Sequence, residues 1–199
     1  MEAMPGWRRD AGVSADGGAL GLRAILLVGF MGAGKSRVGS VLSRKLGWRF
    51  EDLDARIEAR EGCSIPEIFR QSGEKVFRQV EHQALRELLA EVEPGMPFIA
   101  ALGGGAFVQP ANRALLEAPG ITTVYLDAPI EELWQRCCQD GVERPLRGDE
   151  AAFRRLHEER RPHYLAAELR VETGGKDAEA IAQEVLQELG FADKQGDVQ

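Results

Sequence analysis

The chain has 199 residues, 44% of them hydrophobic and 29% charged, a balance that describes one water-soluble globular domain. Its formal net charge of −7 argues against a general nucleic-acid or polyphosphate surface, so an anionic ligand must be met by a local arginine cluster. The three cysteines, Cys63, Cys137 and Cys138, form neither a disulfide framework nor a metal-ligand spacing, which suits a reduced cytoplasmic protein; no apolar run approaches the roughly 18 residues of a membrane span.

Residues 1–23 carry Arg8, Arg9 and Arg23 without an apolar stretch leading to a cleavage site, and are expected to form a flexible tail. Residues 24–28 are a continuous apolar run ending at glycine, the pattern of a strand buried on both faces. After a Gly-rich turn, Val38, Val41, Leu42 and Leu46 recur at helical spacing, and Gly47 stops that helix. Residues 48–50 predict a second strand, with Asp52 and Asp54 at its C-terminal end. The charged stretch 55–92 predicts helix broken near Pro66 and Gly73.

A third strand over 97–102 is stopped by Gly103-Gly104-Gly105. A helix over 110–117 leads to a β-branched strand over 121–126, and Pro129 starts the next helix by fixing φ in its first turn. The polar, glycine-flanked segment 139–149 predicts a loop. A helix over 150–167, a strand over 169–171 and a helix over 178–189 follow, and 191–199 is expected to be a second flexible tail. Strands alternating with helices imply an α/β fold with a parallel, helix-covered sheet. Ligands of such sheets bind beyond the carboxyl ends of the strands, where the suggestive residues fall.

The segment Gly29-Phe30-Met31-Gly32-Ala33-Gly34-Lys35-Ser36 satisfies G-x-x-x-x-G-K-[ST] between a strand and a helix. Glycines let backbone N–H groups turn inward around phosphate oxygens, and the helix adds its positive end. Gly32, Ala33, Gly34, Lys35, Ser36 and Arg37 are therefore expected to hold ATP, with Lys35 bridging the β- and γ-phosphates and Ser36 ligating Mg²⁺. Asp52 and Asp54 are two apart, so on an extended strand end both would face one way; one can serve the metal through water, the other a substrate hydroxyl. Among many surface arginines, Arg78 after a helix break, Arg144 in the glycine-flanked loop and Arg160 before Pro162 stand out by context.

Six short segments occur in one order: the phosphate loop, Asp52-Leu53-Asp54, Gly73-Glu74-Lys75-Val76-Phe77-Arg78, the triple glycine, Arg144-Pro145-Leu146 and Arg160-Arg161-Pro162-His163-Tyr164. Together they resemble the shikimate kinase family, over about residues 24–189. The resemblance implies a P-loop three-layer fold of the nucleoside-monophosphate-kinase type, with a five-stranded parallel sheet, a lid at about 139–149 and a small substrate-binding subdomain, all within a kinase domain of residues 24–190. It implies transfer of the ATP γ-phosphate to the 3-hydroxyl of shikimate in aromatic amino-acid biosynthesis. By the same resemblance Lys35, Asp54 and Arg144 are catalytic. Asp54, Arg78, Gly103, Gly104, Gly105 and Arg160 bind shikimate, Arg144 also reaches the ATP phosphates, and Ser36 and Asp52 serve Mg²⁺. The expected partners are small molecules alone, with no nucleic acid or membrane, and the chain is expected to be a monomer.

Three positions depart from the family pattern. Arg37 stands where Thr or a small residue is common, the adenine-packing arginine falls on Cys137 with Arg136 one place away, and His163 replaces a usual Leu. Two other readings compete: a related kinase of another polyol acid, such as a gluconate-kinase-like enzyme, and a nucleotide-binding regulator without catalysis. Joint retention of Lys35, Ser36, Asp54, Arg78 and Arg144 opposes the regulator.

Overall fold

A computed structural model describes residues 21–91, 96–141 and 144–191; the expected tails at 1–20 and 192–199 lie outside the described residues. Five strands, β1 (Ala24–Val28), β2 (Arg49–Asp52), β3 (Phe98–Ala101), β4 (Ile121–Asp127) and β5 (Leu169–Glu172), form one sheet in the order β2-β3-β1-β4-β5. Every pairing is parallel. The helices are α1 (Lys35–Leu46), α2 (Leu53–Glu61), α3 (Ile65–Ala90), α4 (Pro110–Leu116), α5 (Ile130–Gln139), α6 (Glu150–Tyr164) and α7 (Ala178–Glu188).

Burial follows position in the sheet. All residues of β1 and β3 are buried, which explains why AILLV and FIAA are continuous apolar runs. The edge strands β2 and β5 keep charged residues, with burial only partial along β2 and confined to Val171 in β5. No described helix is long and apolar enough to cross a membrane.

Several boundaries differ from the sequence expectations. Trp48 precedes β2 and packs edge-on against Phe191, with ring centroids 5.7 Å apart. The stretch expected to be helical over 55–92 is two helices. Gly62 caps α2 in a left-handed conformation, and a Ser64–Glu67 capping box opens α3 with Pro66 in its first turn. Gly73 (φ 76°, ψ 171°) kinks α3 in its interior. Pro162 does not interrupt α6, which continues through it to Tyr164 and ends before the expected 167. A short 3₁₀ turn, Ala106–Val108, links the triple glycine to α4 and has no periodicity by which to be foreseen.

Candidate active site

The strand order reverses at β1, which lies between β3 and β4, and a crevice opens there beyond the carboxyl ends. Gly34, at φ 85°, is the N-cap of α1; this backbone conformation suits glycine and strains other residues. It brings the first N–H groups of α1 and the positive end of its dipole to the cleft. Lys35 Nζ donates to the carbonyls of Gly29 at 2.9 Å and Phe30 at 3.0 Å. Burial of the ammonium lowers its pKa to about 8, against the pull of the Asp54 and Asp52 carboxylates.

The two aspartates meet the cleft differently from the strand-end expectation. Asp52 ends β2 and caps α2, its Oδ1 accepting the N–H of Asp54 at 3.0 Å and of Ala55 at 3.3 Å. Asp54 stands in the first helical turn, so the period-two argument for a shared face does not apply. The cap bonds replace it, since they leave Asp52 Oδ2 to accept from Ser36 Oγ at 2.5 Å. Burial, and then the neighbouring Asp52, raise the pKa of Asp54 to about 6.

The glycine turn after β3 is where charged side chains come closest to the backbone. A Cβ at Gly103 would lie 2.6 Å from Asp54 Oδ1 and 3.0 Å from Glu81 Oε1; one at Gly105 would lie 2.4 Å from both Nη1 and Nη2 of Arg78. Only glycine admits this approach. The Gly73 kink begins a new helical segment that presents Arg78, which donates from Nη1 to Glu81 Oε2 at 2.8 Å. From Nη2 and Nε it donates to Glu74 Oε1 at 2.8 and 3.2 Å. Arg160 is 8% exposed on α6, with its guanidinium 6.0 Å from the centroid of the Phe30 ring. Arg144 forks onto Asp140 at 2.9 and 2.5 Å, between α5 and α6; Val142 and Glu143 of the expected lid lie outside the described residues.

Every candidate from the phosphate loop, the aspartates, the arginines and the triple glycine lines one cleft of about 770 Å³. Glu81 was missed. It is fully buried, its Oε1 has no hydrogen-bond partner among the described residues, and burial raises its pKa to about 7 against the effect of Arg78. Its spacing of three from Arg78 on a helix was the available signal. Lys176, Asp177, Ala178 and Ile181, after β5, also line the cleft and carried no motif. Cys137 is buried, with its Sγ 2.9 Å from where a Cβ of Gly32 would stand, while Arg136 lines the cleft and donates to the Gly32 carbonyl at 3.4 Å. Arg136 is thus the residue exposed to the cleft beside the loop.

Ser36 and Asp52 supply hard oxygen donors, side by side. That fits Mg²⁺, which takes one or two protein oxygens and completes its shell with water and phosphate. The fold and this cleft define a P-loop phosphotransferase built on the nucleoside-monophosphate-kinase plan.

Comparison with known proteins narrows the class. A family model described as shikimate kinase matches residues 31–190, and the chain belongs to the shikimate kinase family. It is 43% identical to the shikimate kinase of Synechococcus sp. (strain RCC307), covering 83% of each chain. To that of Persephonella marina it is 39% identical, covering 83% of this chain and 98% of the relative. The structure of the Acinetobacter baumannii shikimate kinase in complex with shikimate has a TM-score of 0.79 at 38% identity, covering 88% of this chain and 96% of that one. A thymidylate kinase from Candida albicans, at 13% identity and TM-score 0.56, shares the fold alone. The chain is thus an enzyme of a family that phosphorylates shikimate, with ATP as co-substrate, on the route to aromatic amino acids.

Proposed function

We propose that the cleft transfers the γ-phosphoryl group of ATP to the 3-hydroxyl of shikimate, giving shikimate 3-phosphate and ADP, with the roles divided as follows. The observation that carries this reading is the convergence of Asp54, Arg78 and Glu81 on the triple-glycine turn, which abuts the phosphate loop through Gly104 in one cleft. The loop from Gly32 to Ser36 holds the phosphates through backbone N–H groups, and Lys35 leaves its own loop carbonyls to bridge the β- and γ-oxygens. Arg37, exposed at the start of α1, borders the same phosphates. Ser36 and Asp52 hold Mg²⁺, which when bound neutralises charge on the β- and γ-phosphates.

On the acceptor side, Arg78 and Arg160 hold the carboxylate, for which a planar guanidinium offers paired donors. Asp54 accepts a hydrogen bond from the reacting hydroxyl and orients its oxygen toward phosphorus; its raised pKa lets it receive the proton as the P–O bond forms. Backbone groups of Gly103, Gly104 and Gly105 set the distance of approach. Arg144 exchanges Asp140 for the transferring phosphoryl group, acting as an arginine finger in cis as segment 139–149 closes and excludes water. Arg136 covers the adenine. The enzyme works as a monomer in the cytoplasm, without nucleic acid or membrane.

An ADP-release assay with ATP and Mg²⁺ tests the reading against shikimate, quinate, gluconate and no acceptor. Turnover specific to shikimate is expected. Turnover indifferent to the acceptor sinks the acceptor assignment and leaves the phosphate-loop assignment standing.

A further inference from the structure

Tyr164 is fully buried and stands behind the cleft, outside its lining. Its hydroxyl donates to the carbonyl of Gly104, and Arg160 stands one helical turn earlier on the same helix, α6. One hydroxyl therefore joins the middle of the glycine turn to the helix that carries Arg160. Gly104 is held from its other side by the phosphate loop, since a Cβ there would lie 3.5 Å from Met31 N and 3.7 Å from the Gly29 carbonyl oxygen. The Tyr164 ring stacks on Tyr125, with centroids 5.3 Å apart and planes at 27°. The ring of Tyr125 in turn lies 3.5 Å from where a Cβ of Gly29 would stand. The two tyrosines thus span, under the floor of the cleft, from the acceptor turn to the first glycine of the phosphate loop.

We infer that Tyr164 is a positioning residue, whose hydroxyl ties the glycine turn to α6, the helix that carries Arg160, and so sets the acceptor's distance from the phosphate loop. The inference rests on the assignment of that turn and Arg160 to the acceptor. A buried hydroxyl that donates to a backbone carbonyl of another element holds its own helix to that backbone. Removing it leaves the Gly104 carbonyl short of a bond, and the turn then settles elsewhere relative to α6 and Arg160. Tyr125 is the internal control: equally buried, its hydroxyl donates to Asp127 Oδ1 at 2.8 Å, away from the turn.

The experiment compares Tyr164→Phe, Tyr125→Phe and Arg160→Lys by steady-state kinetics, by calorimetric Kd for shikimate and by thermal melting, which also verifies that each variant is folded. Tyr164→Phe is expected to raise the Kd and KM for shikimate by about tenfold and to lower kcat, with the KM for ATP within about twofold of the parent. Tyr125→Phe is expected to leave shikimate binding within about twofold, whatever it does to the melting temperature. Shikimate binding unchanged in Tyr164→Phe, or weakened equally in Tyr125→Phe, overturns the inference, because a merely structural hydroxyl behaves that way. Arg160→Lys separates the two levels. If it weakens shikimate while Tyr164→Phe does not, the role of Tyr164 alone fails; if it leaves shikimate binding unchanged, the acceptor assignment fails.

Discussion

Replacing Arg78 with lysine keeps the charge and removes the fork. The guanidinium reaches Glu81 and Glu74 together, through bonds of 2.8, 2.8 and 3.2 Å. A lysine ammonium is a point donor on a flexible stem and can keep only one of them. Buried Glu81, with 1% side-chain exposure, is the partner to keep, since stranding such a charge costs about 3–5 kcal/mol. Glu74 has 49% side-chain exposure, so losing that pair costs about 0–1 kcal/mol. The expected fall in melting temperature is therefore small, about 2–4 °C at most. Acceptor binding behaves differently. A paired, charge-assisted contact to a carboxylate is worth about 1.5–3 kcal/mol, so the KM for shikimate should rise about 10- to 150-fold. The KM for ATP should stay within about twofold, because Arg78 is set against Gly105 and the Glu74 and Glu81 carboxylates. Coupled ADP release, with each substrate varied at saturating levels of the other, measures both. An equal rise in the two KM values, or none for shikimate, refutes the clamp.

Gly105→Ala would place a methyl group 2.4 Å from the Arg78 Nη atoms; the guanidinium, bracketed by two glutamates, must move, so the KM for shikimate should rise at least about tenfold with folding retained. Circular dichroism and kinetics together check this, and parental kinetics would show that the clamp tolerates displacement. With the Asp54 carboxyl held at about 6, kcat/KM for shikimate should fall as the pH drops below about 6, because the protonated group no longer accepts the hydroxyl hydrogen. A limb centred near pH 4 would assign the titration elsewhere. Burial lowers the pKa of His157, whose Nε2 has no hydrogen-bond partner among the described residues. The unfolded chain then binds more protons, so His157 withdraws stability as the pH falls below about 6.5. His157→Gln should lose less melting temperature than the parent between pH 7 and 5; equal losses would clear His157. The comparison of variant with parent is needed because Glu81, with its pKa raised, acts in the opposite direction over the same range.

Features that depend on neighbours along the chain are legible before any folding is considered. The phosphate loop was legible because its glycines, lysine and serine must lie at set intervals for backbone N–H groups to wrap a phosphate. The buried runs of β1 and β3 announced a parallel sheet because a strand covered on both faces has no polar side to show. For Asp52 and Asp54 strand alternation does not hold: the strand ends at Asp52, and its role as a helix cap turns its carboxylate to Ser36. The remaining features come from packing between distant segments. That packing buried Glu81 against Arg78 and Gly103, set Arg136 on the cleft with Cys137 behind the loop, and carried the Tyr164 hydroxyl to Gly104, 60 residues away in the chain. Periodicity says which face of an element is covered; which residue of another element covers it is settled only when helices and sheet pack.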